Sequence, residues 1–481
     1  MNLVWFRHDL RTVDHPALWA ALDSGQPVRA VYVASPAQWR SHDWGDARLD
    51  FVQRSVQALA RALGALGIAL DVLVLDTFAD IPAGLLAHAQ RHRVRQVFAH
   101  EEYEWHERQR DAACQALWSA QGIGLQLLPD QCVWPPGRVR NSQGQFYRVF
   151  TPFFRQWRLK LAEAPAQVLP TPQPQLPSTP ADAPADQQAL WSQSWASAVP
   201  ACQPFWPAGP EAAQQRLQQF LQAALGQYAE GRDRADQAAT SRLSADLSVG
   251  SLSVRQVLVA LRSARQAGVD PEPFIRQLAW RDFYRHVLVG FPWVSRGQPF
   301  DLQVGRRLQW RNDPAAFERW CQGQTGVPIV DAGMRALRAE GWLHNRLRMV
   351  VAMYLCKDLH IDWRWGERFF MQQLVDADLA NNNGGWQWCA STGTDAQPYF
   401  RIMNPYSQSQ KIDPAGTYIR RHVPELAALA APAIHQPPSG LRRTLGYPAE
   451  LVDHATARTA TLALFERARQ QDPAPLASPI D

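Results

Sequence analysis

The chain has 481 residues, 46% of them hydrophobic, and carries 49 Lys and Arg against 44 Asp and Glu, a formal net charge of +5. That length supports two or three domains with sizeable cores, and the lack of any 18-residue apolar run excludes a membrane-spanning helix by pattern. The mild positive charge is compatible with a polyanionic partner but does not establish one, because nearly all the cations are arginine, with lysine only at Lys160, Lys357 and Lys411.

The first residues, MNLVWFRHDLRTVDH, put charges where a secretion signal needs an apolar core, so a cytoplasmic protein is expected. Residues 1–130 alternate short aliphatic runs (3–6, 28–34, 70–75 and 94–99) with helical stripes such as Val52, Val56, Leu59, Leu63 and Leu66. Runs of that length read as buried parallel strands, and the alternation predicts a doubly wound α/β domain. No GxGxxG follows the first strand, so a nicotinamide-type phosphate loop is not supported. Cys114, Cys132, Cys202, Cys321, Cys356 and Cys389 lie far apart with no CxxC pair, and no histidine cluster stands out at metal-ligand spacing. Reduced buried thiols and no metal centre are therefore expected.

Residues 131–210 read as an interdomain linker, most clearly the Pro-, Ala- and Gln-rich stretch from about 163, which cannot bury enough apolar surface to form a domain. From 211 to 481 the periodicity is helical, with helices expected over 214–225, 253–265, 273–289, 331–340, 345–356, 365–376 and 456–469. This predicts an all-α C-terminal domain, ending soon after its last helix with QQDPAPLASPID.

Four stretches in that half carry chemistry. TSRLS (240–244) sets two hydroxyls at the start of an expected helix, an arrangement suited to phosphate. QLAWRDFY (277–284) places Gln277, Trp280, Arg281 and Tyr284 on one helical stripe, and GWLHNRLRM (341–349) does the same for Asn345, Arg348 and Met349. Residues 376–404, DADLANNNGGWQWCASTGTDAQPYFRIMN, combine Asp376, Asp378, three successive asparagines, Trp386 and Trp388. So many hydrogen-bonding groups beside large aromatics suit a polar, partly aromatic ligand, since buried polar groups need partners; an Asn/Gly-rich turn capping two helices is the simpler alternative.

Together with VWFRHDLR at 4–11 and NNGGWQW at 382–388, these motifs resemble the photolyase/cryptochrome family end to end. GWLHNRLRM and ASTGTDAQPYFRI (390–402) are similar to its bacterial class I branch acting on cyclobutane pyrimidine dimers. The resemblance implies a helical FAD-binding domain holding flavin through Tyr228, Thr240, Ser241, Arg242, Leu243, Ser244, Trp342, Arg348, Asp376, Asp378 and Asn382. It implies UV-damaged DNA as partner, contacted by Arg232, Gln277, Trp280, Arg281, Tyr284, Asn345, Arg346, Trp388, Arg401 and Gln408. Gln277, Asn345, Met349 and Asn382 would act at the reacting centre, with Asn382 beside flavin N5, and Trp310, Trp363 and Trp386 would pass electrons to the flavin. An antenna chromophore, methenyltetrahydrofolate or another, would sit by His42, His106, Glu107 and Arg296. A bacterial, cytoplasmic monomer that repairs dimers in light is the resulting expectation.

The chain departs from the family at Gln277, where dimer photolyases usually have a carboxylic acid. An amide still donates a hydrogen bond but cannot deliver a proton, so a blue-light photoreceptor with weak repair is the alternative reading.

Overall fold

The computed structural model describes residues 1–175, 195–396 and 398–470, and its chain forms two compact units. One comprises Met1–Ala229, Ala239–Pro292 and Met371–Ala380; the other comprises Glu230–Ala238, Trp293–Phe370 and Asn381–Asp481.

The first unit contains a five-stranded parallel sheet of β1 (Asn2–Phe6), β2 (Val28–Ala34), β3 (Leu70–Val74), β4 (Gln96–His100) and β5 (Gly124–Leu128), in the order β3-β2-β1-β4-β5. Every residue of β1 and β2 is buried, Asn2 and Arg29 included, in keeping with their otherwise apolar sequences. The doubly wound α/β expectation holds. Four strands match the aliphatic runs, whereas β5 (GLQLL) was missed because a Gln and a leading Gly dilute so short a pattern. The Val52, Val56, Leu59 and Leu63 stripe is buried on the Asp46–Ala65 helix. Strand order reverses beside β1, between β1 and β4, and ligands of such sheets gather at this reversal.

Not all of the predicted linker is extended: Phe150–Glu163 is a helix, and its Trp157 indole donates to Asp282 on the Glu272–Gly290 helix at 2.9 Å. The rest of the linker between 176 and 194, and the chain after 470, lie outside the described residues. Helices appear at Pro210–Ala223 and Val254–Gln266, the latter opened by a capping box in which Ser253 and Gln256 bond each other's backbone N–H.

In the second unit, helices Pro328–Glu340, Asn345–Met353 and His454–Gln470 occupy the expected positions. The Asn345 helix ends early and passes into a π-type turn over Tyr354–Asp358. Trp363–Gln373 also stops short of Asp376. The Asn/Gly-rich segment is not a turn: Leu379–Ala390 is a helix despite NNNGG, its weak propensity overridden by tertiary hydrogen bonds. All six cysteines are buried and free, and no described helix is long and apolar enough to cross a membrane.

Candidate flavin and DNA site

In the first unit, the Glu272–Gly290 helix carries the predicted stripe. Trp280 lies flat on Phe150 with ring centroids 3.7 Å apart and planes 8° from parallel, and Tyr284 follows at 5.5 Å. One indole face is thereby sealed while the residue stays only half-buried. The Gln277 amide donates to the Pro273 carbonyl at 3.3 Å, a bond within its own helix.

Arg281 was read as a DNA contact, yet its guanidinium donates to the carbonyls of Gln131 and, at 3.0 Å, Leu247. That fork is occupied by backbone carbonyls, which ties the Glu272–Gly290 helix to the segments of Gln131 and Leu247. Asp282 beside it is buried and accepts from Val133 N at 3.0 Å.

One turn further, Arg285 was missed by the sequence reading, although it continues the Gln277–Arg281 stripe at i+4. It pairs with Asp378, and that carboxylate pushes its guanidinium above the usual arginine range despite burial. The Nη1 atom of Arg285 is buried with no protein partner. Asp376 and Asp378 lie in a non-helical segment between the Trp363–Gln373 and Leu379–Ala390 helices. The Ser248 hydroxyl holds this turn through Ala377 O at 3.0 Å.

Thr240 and Ser241 do not open a helix directly. Helix Ser244–Val249 begins after Leu243, while Arg242 takes a left-handed backbone, φ +53°, and its guanidinium lies 5.0 Å from the Trp206 ring centre. Ser241 Oγ accepts from Leu243 N at 3.3 Å, and buried Tyr228 packs edge-on to Phe274 at 5.2 Å. This cradle of hydroxyls and a guanidinium, beside the orphaned Arg285 Nη1 and the Asp378 carboxylate, fits the polar demands of a flavin dinucleotide: donors for phosphate and ring oxygens, and an acceptor for hydroxyls.

In the second unit, His344 caps the Asn345–Met353 helix, its Nδ1 accepting from Arg346 N at 3.2 Å; burial brings its pKa down to about 4, leaving a neutral acceptor. Asn345 is exposed at the helix start. Arg346 reaches Asp233 at 2.6 Å, and its Nη1 lies 3.7 Å from the Met349 sulfur. Arg232 is 3.8 Å from the same Asp233 carboxylate. Arg348 donates to Leu343 O at 2.8 Å, and Trp342 stands edge-on to His344. Arg401 is exposed, and Gln408 and Trp388 are half-buried.

Asn382 donates an amide N–H to the Glu367 carbonyl at 2.9 Å, which restrains the amide. Asn383 bonds the Glu367 carboxylate at 2.8 Å, and Gln387 continues the chain to Asn383 Oδ1 at 2.9 Å. Glu367 and Gln387 carry no local pattern that marks them, since the network forms only when two helices meet.

Trp386 and Trp363 are both buried. The six-membered ring of Trp386 rests on the backbone of Gly366, where a Cβ would collide with it, one turn from Trp363. Trp310 lies in a separate cluster with Leu308 and Phe465. Trp320, not anticipated, stands 6.1 Å from Trp386.

Of the antenna residues, the first unit brings three together: His42 is 5.2 Å from His106 ring to ring and 3.6 Å from Glu107. Arg296 belongs to the second unit. Glu107 also lines a cavity at the strand-order reversal with Trp5, Arg7, Ser35, Trp39 and Arg110. There Arg7 Nε and Nη2, Ser35 Oγ and Glu107 Oε2 are buried without protein partners. Burial and the charges of Glu104 and Glu102 push the Glu107 carboxyl up to about 8.

Two family models match, "DNA photolyase" over residues 2–175 and "FAD binding domain of DNA photolyase" over 274–467. A deoxyribodipyrimidine photo-lyase of Vibrio cholerae is 43% identical, with 98% of this chain and 100% of that protein aligned. A class III photolyase of Agrobacterium tumefaciens superposes with a TM-score of 0.87 at 33% identity, covering 98% of each chain. A Synechocystis cryptochrome superposes at 0.83 with 29% identity, over 96% of this chain and 99% of its own.

Proposed function

The chain belongs to the DNA photolyase family, and on that premise we propose that it is an FAD-dependent deoxyribodipyrimidine photo-lyase that splits cyclobutane pyrimidine dimers in UV-damaged DNA. The observation that carries this reading is the near-complete alignment to a photo-lyase at 43% identity. The photoreceptor alternative is not favoured, because the cryptochrome neighbour is the more distant relative at 29%.

FAD is held through Tyr228, Thr240–Ser244, Asp376, Asp378, Trp342, Arg348 and Asn382. When bound, reduced and excited by blue or near-UV light, it supplies the electron that opens the cyclobutane ring and receives it back. The protein positions and insulates. Asn382, with one amide N–H tied to the Glu367 carbonyl, is held in one orientation and can offer its oxygen as an acceptor to a protonated partner. Arg285 pairs with the Asp378 carboxylate and so orients it.

A dimer has to leave the base stack to reach a pocket. Trp280, backed by Phe150, and Trp388 are the aromatics that would stack on its bases, and Met349, Asn345, Tyr284 and Gln408 are further side chains proposed to contact it. Gln277 donates an N–H to a pyrimidine carbonyl and cannot transfer a proton there. Phosphates are met by Arg232, Arg346 and Arg401. The Arg346–Asp233 pair is partly exposed, so a phosphate can replace the carboxylate at little cost, and binding should weaken steeply with salt.

Trp386, Trp363 and Trp310 supply electrons that restore the reduced cofactor. An antenna chromophore, a folate or another, is taken up through His42, His106 and Glu107 with Arg296. The orphaned polar atoms of Arg7, Ser35 and Glu107 favour a heteroaromatic ring bearing both donors and acceptors. The protein acts as a monomer in the bacterial cytoplasm.

The test is illumination of photoreduced protein with a dimer-containing oligonucleotide. Recovery of thymine absorbance with loss of the dimer is the expected result. Intact flavin photoreduction without dimer loss would leave the photoreceptor reading standing instead.

A further inference from the structure

We propose that Asp71, His88 and His92 form a binding site for a divalent transition-metal ion of the zinc type, on the edge of the parallel sheet. Asp71 lies on β3, the outermost strand. His88 belongs to the Ile81–Arg91 helix, and His92 caps the same helix four residues later, so both imidazoles project from one face. Their ring centres are 4.6 Å apart, and one ligand atom from each of the three residues lies within 4.8 Å of the others. Ligands sharing one tetrahedral ion stand about 3.5 Å apart, a gap that a small rotation of the half-buried His92 closes.

His88 is the observation that asks for an ion. It is 4% exposed, and neither ring nitrogen makes a hydrogen bond, although Nε2 lies 3.3 Å from Asp71 Oδ2. A buried imidazole without good hydrogen bonds is costly, and a metal at Nε2 would take up the nitrogen that only Asp71 Oδ2 approaches. The supporting residues are in place. Arg29 forks onto Asp71, with Nη2 to Oδ1 at 2.8 Å, orienting the carboxylate while leaving lone pairs free. Arg93 leaves the helix in a left-handed conformation, φ +53°, and the His92 N–H is anchored to His88 O.

The other buried trio of similar composition makes the contrast. In Asp9, His15 and His100, the acceptor nitrogens of both histidines already take the backbone N–H groups of Leu18 and Ala17, so no lone pair remains for a metal. For the edge site, two imidazoles and one carboxylate select Zn²⁺, Co²⁺, Ni²⁺ or Cu²⁺ over Mg²⁺ and Ca²⁺. Water completes the shell on the open side of His92. The bound ion straps the sheet edge to the helix.

The experiment titrates Co²⁺ into tag-free, chelator-treated holoprotein and follows its visible ligand-field bands, with thermal unfolding recorded in parallel. The expected result is one Co²⁺ per chain, displaced by Zn²⁺, with a rise in Tm; His92→Ala and His88→Gln each lose the band and the Tm rise, and Asp71→Asn weakens binding tenfold or more. His92→Ala alters a half-buried side chain, and its retained FAD and circular dichroism report that it is folded. Identical titrations of wild type and folded His92→Ala, or no band at millimolar Co²⁺, would overturn the assignment.

Discussion

Two clusters of buried polar side chains occupy the same end of the same sheet and differ in one respect. In the cluster around Asp9, each donor meets an acceptor: His15 and His100 donate to Oδ2 at 3.1 and 2.7 Å, and Arg7 N donates to Oδ1 at 2.6 Å. The two histidines return their other nitrogens to the first turn of the Pro16–Asp23 helix. In the cluster around Arg7, Ser35 and Glu107, several polar atoms are buried with nothing in the protein to meet them. The first is closed and structural; the second is open and waits for a ligand. Arg285, with one idle nitrogen beside Asp378, is of the open kind as well. Satisfaction of hydrogen bonds, rather than residue type, separates scaffold from site.

The largest effect is expected from breaking the closed cluster. Asp9→Ala strands two imidazole N–H groups and a backbone N–H in a dry interior, and should cost on the order of 3–5 kcal/mol in urea unfolding. Next comes Asp378→Ala, which leaves the buried Arg285 uncompensated. FAD affinity, measured by flavin release on dilution, should fall about tenfold, or ~1.4 kcal/mol, and an unchanged affinity would place Asp378 outside the flavin's reach.

The two clusters should also differ in the sign of their pH dependence. His15 is held down to about 4 by burial and then by the His100 charge, so between its ordinary 6.5 and 4 the unfolded chain binds more protons and stability rises with pH. Glu107 has the opposite sense: raised from 4.5 to about 8, it keeps its proton in the fold, so stability falls as pH rises through that window. Glu107→Gln should abolish that decline, up to ~1.4 kcal/mol per pH unit, in urea titrations between pH 5.5 and 8. Smallest is Gln277→Glu, for which a few-fold rise in dimer repair yield is expected; an equal or lower yield would show that the amide is not the limiting group.

The doubly wound sheet and the helical half were readable from short-range periodicity, because a buried parallel strand has to be apolar throughout and a helix apolar at every third or fourth residue. Trp280, Arg281 and Tyr284 were placed on one stripe by the same arithmetic, and the six thiols were correctly expected to be free. At two places distant partners outweigh what the local sequence favours. NNNGG became helix because Glu367 binds Asn382 and Asn383, and Arg281 turned to backbone carbonyls because Gln131 and Leu247 come within its reach. The histidine spacing in HAQRH was present in the sequence, but it acquires meaning only once Asp71 arrives from a different strand.

The sequence by itself determined which segments bury apolar surface and which side chains the family motifs carry, since periodicity and motif identity are properties of neighbours along the chain. Tertiary structure alone decided which buried polar groups are satisfied and which remain open, because a hydrogen bond or a metal shell depends on a few ångströms between residues that the chain keeps far apart.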